Sequence, residues 1–236
     1  MNCRGGVIII GSLLWDNALR HEWRRSSLEA LERKIPVSVR IRYGRESGKP
    51  RRHTYTMIFS NHPTTGLGQG WIVGLRQKID NKETLREQAI ALAKAEGIWT
   101  EQQRYLAKDW GAVGLLANEN KTSADWIKLN WRQVFRENRC EQAHCQFNYS
   151  RYSIDNELPV INEDGFLQID WPAEADDFDF LIATPTAPRP RTALTARIIA
   201  DRMIEQNYRI YFDTNRSSNI TTFQDDEISG FLNAGR

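Results

Sequence analysis

The sequence predicts an α+β domain: a small, curved, barrel-like mixed sheet with helices around it. Strand-like segments crowd the first third of the chain, and amphipathic helical patterns fill much of the rest. The two kinds do not alternate regularly, as a doubly wound parallel sheet would require. The chain has 236 residues, enough for a core that folds without staples. We read 1–236 as a single domain, with a core over 5–118 and a C-terminal extension over 119–236 packed on it.

Each element follows from its local pattern. Residues 7–10 are a β-branched run ending at Gly11, a buried strand entering a turn. Residues 37–42 alternate with period two, as a half-buried strand does. Residues 54–59 and 70–75 are further strands. The stretch 43–53, with Gly, Ser, Pro and several basic residues, reads as a solvated loop, and 60–70 is rich in turn residues. Asp80 and Glu83 form a capping box that starts a helix reaching about Ala95. Leu85, Ala89, Leu92 and Ala93 are its apolar stripe, and Gly97 is its left-handed cap. Thr100 with Gln103 predicts a second, short helix.

Residues 112–117 read as a strand, and Ser123 caps a helix whose Ile127, Trp131, Val134 and Phe135 share one face. The stretch 140–177 is irregular and acidic. Residues 178–183 form a strand, and 184–191 a stiff proline loop. An amphipathic helix follows with Leu194, Ile198, Ile199 and Met203 inward. Residues 208–213 are strand-like, and 224–232 read as a last helix.

Composition excludes several classes. Charged residues make up 26% and hydrophobic ones 40%, as in ordinary globular domains. Eight Trp, nine Phe and seven Tyr supply too much buryable area for a disordered chain. A net charge of +2 argues against a nucleic-acid coat or a polybasic membrane anchor. No apolar run approaches a membrane span, and the run at 7–10 is too short for a signal-peptide core. We therefore expect a cytoplasmic protein, and three cysteines fit that compartment because a disulfide framework favours an even number. The sequence leaves the oligomeric state open.

Two local features carry chemistry. In Ile8-Ile9-Ile10-Gly11-Ser12-Leu13-Leu14-Trp15-Asp16 a strand bends abruptly at Gly-Ser. The free N–H groups after such a bend can hold a carboxylate. The same residues can equally form a plain turn covered by Trp15. The second feature is Glu96, which ends the first predicted helix beside Ile98 and Trp99. The negative end of the helix and partial burial both disfavour a charged carboxyl there, which suits a proton acceptor. A solvated Glu in the last helical turn is the alternative.

Together these residues resemble the γ-glutamylcyclotransferase family, and its ChaC branch in particular. That family opens with a strand and Tyr-Gly-Ser-Leu-Ile-Trp, similar to residues 10–15 here. It continues with a Gly-Trp-Gly-type strand, matched by Gly70-Trp71 within 68–74, and a helix ending in a catalytic Glu near a Gly, matched by Glu96-Gly97. A Gly/Pro-rich loop before a late helix resembles 183–191 before Leu194. The close match covers roughly residues 6–16 and 68–98, and the rest agrees in order and length only. The chain departs from the family at Ile10, where the family has Tyr.

The resemblance implies a γ-glutamylcyclotransferase-like fold and a small γ-glutamyl amide, amine or peptide as substrate. The substrate's α-amine attacks its own γ-carbonyl, giving 5-oxoproline and a free amine. Glu96 would be the catalytic base, and Ile10, Gly11, Ser12 and Leu13 would bind substrate. No metal or cofactor is needed. Ile10 implies one hydrogen-bonding group fewer, so glutathione-like substrates should be poor and bulkier or more apolar ones better. The alternatives are a non-catalytic protein binding a small ligand or partner on the same fold, and an enzyme acting on a glutamyl-modified natural product.

Other clusters are weaker. Cys140, His144 and Cys145 are possible zinc ligands, but structural zinc wants a fourth ligand and two separated pairs. Arg51-Arg52-His53 and Arg189-Pro190-Arg191 read as solvated basic loops, either of which could meet an acidic substrate group.

Overall fold

The structure, a computed structural model, describes residues 1–17, 20–155 and 157–234. Among these it has six strands and six helices, with one curled, mixed sheet at the centre. The strands are β1 (Gly5–Ile9), β2 (Ile35–Glu46), β3 (Tyr55–Phe59), β4 (Leu67–Gly74), β5 (Gly114–Ala117) and β6 (Phe180–Ala183). Their order across the sheet is β3-β2-β4-β1-β6-β5. β1 runs antiparallel to β4, with Ile9 opposite Trp71, and parallel to β6, with Val7 opposite Ile182. That central place explains the unbroken apolar run: all five residues of β1 are buried. β6 comes from residues 119–236 and lies between two strands from residues 5–118.

β2 is longer than the alternating segment. It continues through Glu46, with a bulge between Tyr43 and Arg45, and only then enters a 3-10 turn at Lys49–Arg51. The first four residues of the expected loop over 43–53 are therefore strand. A bulge re-aims the side chains that follow it, and here Arg45 and Glu46 end beside the cavity described below.

The helices are α1 (Arg20–Ser27), α2 (Lys82–Ala95), α3 (Ala124–Asn138), α4 (Ala196–Glu205), α5 (Ile210–Ser217) and α6 (Asp225–Ala234). In α2 the stripe Leu85, Ala89, Leu92 and Ala93 is buried. Its cap is Asn81 rather than Asp80: the Asn81 side chain accepts the Thr84 N–H at 2.9 Å. Gly97 ends the helix at φ +73°, a conformation that glycine adopts without strain. In α3 the face Ile127, Trp131, Val134 and Phe135 is fully buried. Ser123 stands at its N-cap, but its hydroxyl donates to Asp179 instead of capping.

Three local expectations are corrected. Residues 208–213 are not a strand, because α5 starts at Ile210. Tyr211, Phe212 and Asn215 are buried on one helical face, a spacing that a six-residue window cannot separate from a strand. Thr100 and Gln103 exchange backbone hydrogen bonds in a turn, with no helix. Ile198 is 46% exposed, while Ile199 and Met203 of α4 and the preceding Leu194 are buried. The cysteine count also misleads, since Cys140 and Cys145 are disulfide-bonded and only Cys3 is free. No helix among the described residues is long and apolar enough to cross a membrane.

Candidate functional site

β1 delivers the chain to the turn at Gly11. There the Leu14 N–H returns to the Gly11 carbonyl at 3.1 Å, and the Asp16 N–H to that of Ser12 at 2.9 Å. The opening N–H groups of a helical turn have no partner within it. Among the described residues, none of the N–H groups of Gly11, Ser12 and Leu13 has a protein acceptor. The turn is clamped from behind by Arg24 of α1, which donates to the carbonyls of Leu13 (2.7 Å) and Asp16 (2.9 Å). Trp15 is fixed through its indole N–H, donated to Asn215 of α5 at 2.7 Å.

This turn borders a cavity of about 450 Å³, within the range of small-molecule sites. Ile10, Gly11, Ser12, Leu13 and Glu96 all line it. Ile10 sits there with its Cγ2 close over Gly70 of β4. Glu96, the C-cap residue of α2, ends a helix that packs against α1 and α3. Its carboxylate accepts from Arg20 Nη2 at 3.2 Å and from Thr184 Oγ1 at 3.4 Å. The sequence placed the negative end of a helix and partial burial around this group, and the fold adds a guanidinium.

Arg20 and Tyr211 were not legible as site residues, whereas Arg51 stood in a basic loop that could meet an acidic substrate group. Arg20 pairs with both Asp16 and Glu96. Arg51 donates to Ser12 Oγ at 2.8 Å, lies 3.7 Å from Asp16, and stacks 4.8 Å over the Tyr211 ring. Of the basic loop Arg51-Arg52-His53, only Arg51 reaches the cavity; Arg52 and His53 are exposed. Tyr211 lines the cavity beside Gly11. Its hydroxyl would stand 2.7 Å from a Cβ placed on Gly11, so only glycine leaves room for it. The Tyr211 phenol is neutral at neutral pH, and burial raises its pKa further. The Asp16–Arg20 spacing of four was one available signal for a local pair. Nothing in the sequence linked Tyr211 to Gly11.

Arg45, Glu46, Thr56 and Trp110 line the cavity as well. Cys140, His144 and Cys145 lie outside the cavity, and the disulfide removes both thiols from any zinc set. Among the described residues no group of three or more His, Cys, Asp or Glu side chains could hold a metal ion. Arg189 and Arg191 are exposed and outside the cavity. Compared with protein-family models, curated proteins and solved structures, the chain matches none of them. The arrangement itself offers a carboxylate for proton transfer, a row of N–H donors for an anion, and a neutral phenol beside them.

Proposed function

We propose that the protein is a γ-glutamylcyclotransferase-like enzyme that cyclises a γ-glutamyl amine or peptide to 5-oxoproline and releases the amine. One observation carries the reading: Glu96 and the turn at Gly11, Ser12 and Leu13, far apart in the chain, line the same cavity. The free N–H groups of the turn, with Ser12 Oγ and Arg51 beside them, suit the α-carboxylate of a glutamyl group or the oxyanion formed during attack.

Both reacting groups belong to one molecule, so holding the folded-back conformer supplies much of the rate. The α-ammonium cannot attack until it loses a proton, and Glu96 accepts it. The amine nitrogen then bonds to the γ-carbon, the tetrahedral oxyanion collapses, and the bond from the γ-carbon to the leaving nitrogen breaks. Glu96 returns its proton to that nitrogen. Tyr211 is positioned near the turn to donate a hydrogen bond to the developing oxyanion.

The test is release of 5-oxoproline from a panel of γ-glutamyl amines, amino acids and peptides. Glu96→Gln keeps the shape but removes the base, and turnover should fall about 10²–10⁴-fold. Full activity in Glu96→Gln overturns the role of Glu96. The second reading, a binding protein without turnover, is favoured by the partners already held on both Glu96 oxygens. Binding of γ-glutamyl compounds with no 5-oxoproline from any of them would select it.

A further inference from the structure

Arg20, the first residue of α1, stands between two carboxylates that line the cavity. Its Nη1 donates to Asp16 Oδ2 at 2.5 Å and its Nη2 to Glu96 Oε2 at 3.2 Å. The two bonds are unequal. Charge-assisted N–H···O bonds run to about 2.7–2.9 Å, so the arm on Asp16 is tight and the arm on Glu96 is loose. Asp16 is four residues from Arg20, whereas Glu96 comes from the end of α2, 76 positions away. The guanidinium is thus anchored on Asp16 and reaches Glu96 with its second amino group. Releasing Glu96 costs Arg20 one long hydrogen bond and leaves its charge paired. All three side chains are partly buried, so solvent and salt screen their interactions less than on an open surface. The other Glu96 oxygen is met by Thr184, a neutral donor, so Arg20 is the cation that an incoming ammonium must displace.

We propose that Arg20 is a specificity-determining counter-ion: it guards Glu96 and yields that carboxylate to the α-ammonium of a glutamyl group while staying on Asp16. This rests on the γ-glutamyl reading of the cavity. No covalent bond forms or breaks in the exchange; one cation replaces another on Glu96. A simple amine displaces Arg20 for nothing else in return. A glutamyl group gains its α-carboxylate at the Gly11 turn in the same event, so the exchange selects the α-amino acid head. It also reconciles the partners on Glu96 with the proton that Glu96 must accept.

The experiment uses L-glutamate and glutarate, which differ in the α-ammonium alone and carry no leaving amine. Calorimetry gives both affinities for the wild-type protein, Arg20→Met, Arg20→Lys and Asp16→Asn, and thermal unfolding shows which variants fold. Arg20→Met removes the competitor, so the preference for L-glutamate should rise about 10-fold or more, the worth of a hydrogen bond to a charged group. Asp16→Asn removes the anchor and leaves Arg20 to Glu96 alone, so the preference should fall about 2–5-fold. Arg20→Lys, whose ammonium cannot span both carboxylates, should lie between the wild-type protein and Arg20→Met. Losing a cation also changes the general field, and a double-mutant cycle removes that contribution: in a Glu96→Gln background, Arg20→Met should leave the preference unchanged. An equal rise in that background overturns the proposal. So does an unchanged or lowered preference in Arg20→Met or, where that variant does not fold, in Arg20→Lys. The expected shifts without 5-oxoproline from any γ-glutamyl compound support the role of Arg20 and refute the enzymatic reading. Absence of binding by both compounds, or no preference for L-glutamate in the wild-type protein, refutes the proposal and the glutamyl reading together.

Discussion

Replacing Gly11 with alanine tests the contact between two residues that line the cavity, Gly11 and Tyr211. The new Cβ would lie 2.7 Å from the Tyr211 hydroxyl, whereas ordinary contact begins near 3.4 Å. The gap must open by about 0.7 Å, and Tyr211 has little freedom to yield. It is 4% exposed, its oxygen accepts the Met57 N–H at 3.3 Å, and Trp15 and Arg51 pack on its ring. Overpacking of this kind costs about 1–3 kcal/mol, and each kcal/mol lowers Tm by roughly 2–4 °C at this chain length. The decisive measurement is a double-mutant cycle in urea with Tyr211→Phe. Alone, Tyr211→Phe strands the Met57 N–H and costs about 1–3 kcal/mol. In the double variant the atom nearest the new Cβ is the ring carbon Cζ at 3.7 Å, an ordinary contact. Gly11→Ala should therefore cost little in the Tyr211→Phe background, a coupling of about 1–3 kcal/mol. Costs that add within about 0.5 kcal/mol would refute the steric argument.

Two further perturbations probe the same architecture. Asn215 is fully buried and accepts the Trp15 indole N–H, so Asn215→Leu should destabilise by about 1–3 kcal/mol in urea unfolding. A change below about 0.5 kcal/mol would show that this bond does not hold the turn. Burial raises the pKa of Asp225 above its ordinary value of 3.8, and its buried Oδ2 has no hydrogen-bond partner among the described residues. The folded protein thus holds that proton more tightly than the unfolded chain. The associated stability is present at low pH and is lost as pH rises from 3.8 through the higher folded value. Wild-type stability should gain on Asp225→Asn as pH falls from about 7 to about 4, and parallel urea midpoints across that range would contradict the assignment.

Much of the fold was legible because its signals are local. The run at 7–9 is apolar throughout since β1 is covered on both faces, and the stripe of α2 with Gly97 follows from helical period and cap chemistry. The pairing of Glu96 with the Gly-Ser turn came from a resemblance, since periodicity places each residue only within its own element. What joins them is long-range packing. Arg20 reaches Glu96 across 76 positions, Thr184 across 88, and Trp15 reaches Asn215 across 200. Such contacts depend on strand order and helix docking, which no local window contains. The same limit explains α5: Tyr211 and Phe212 fit a strand or a helix until the sheet beneath them selects the face. Composition and local pattern thus determined the fold class and most elements of this protein. Only the tertiary structure decided which charges meet in the cavity, because hydrogen bonds need contact within about 3.5 Å and Coulomb energies weaken with spatial distance and salt, and chain distance says nothing about either.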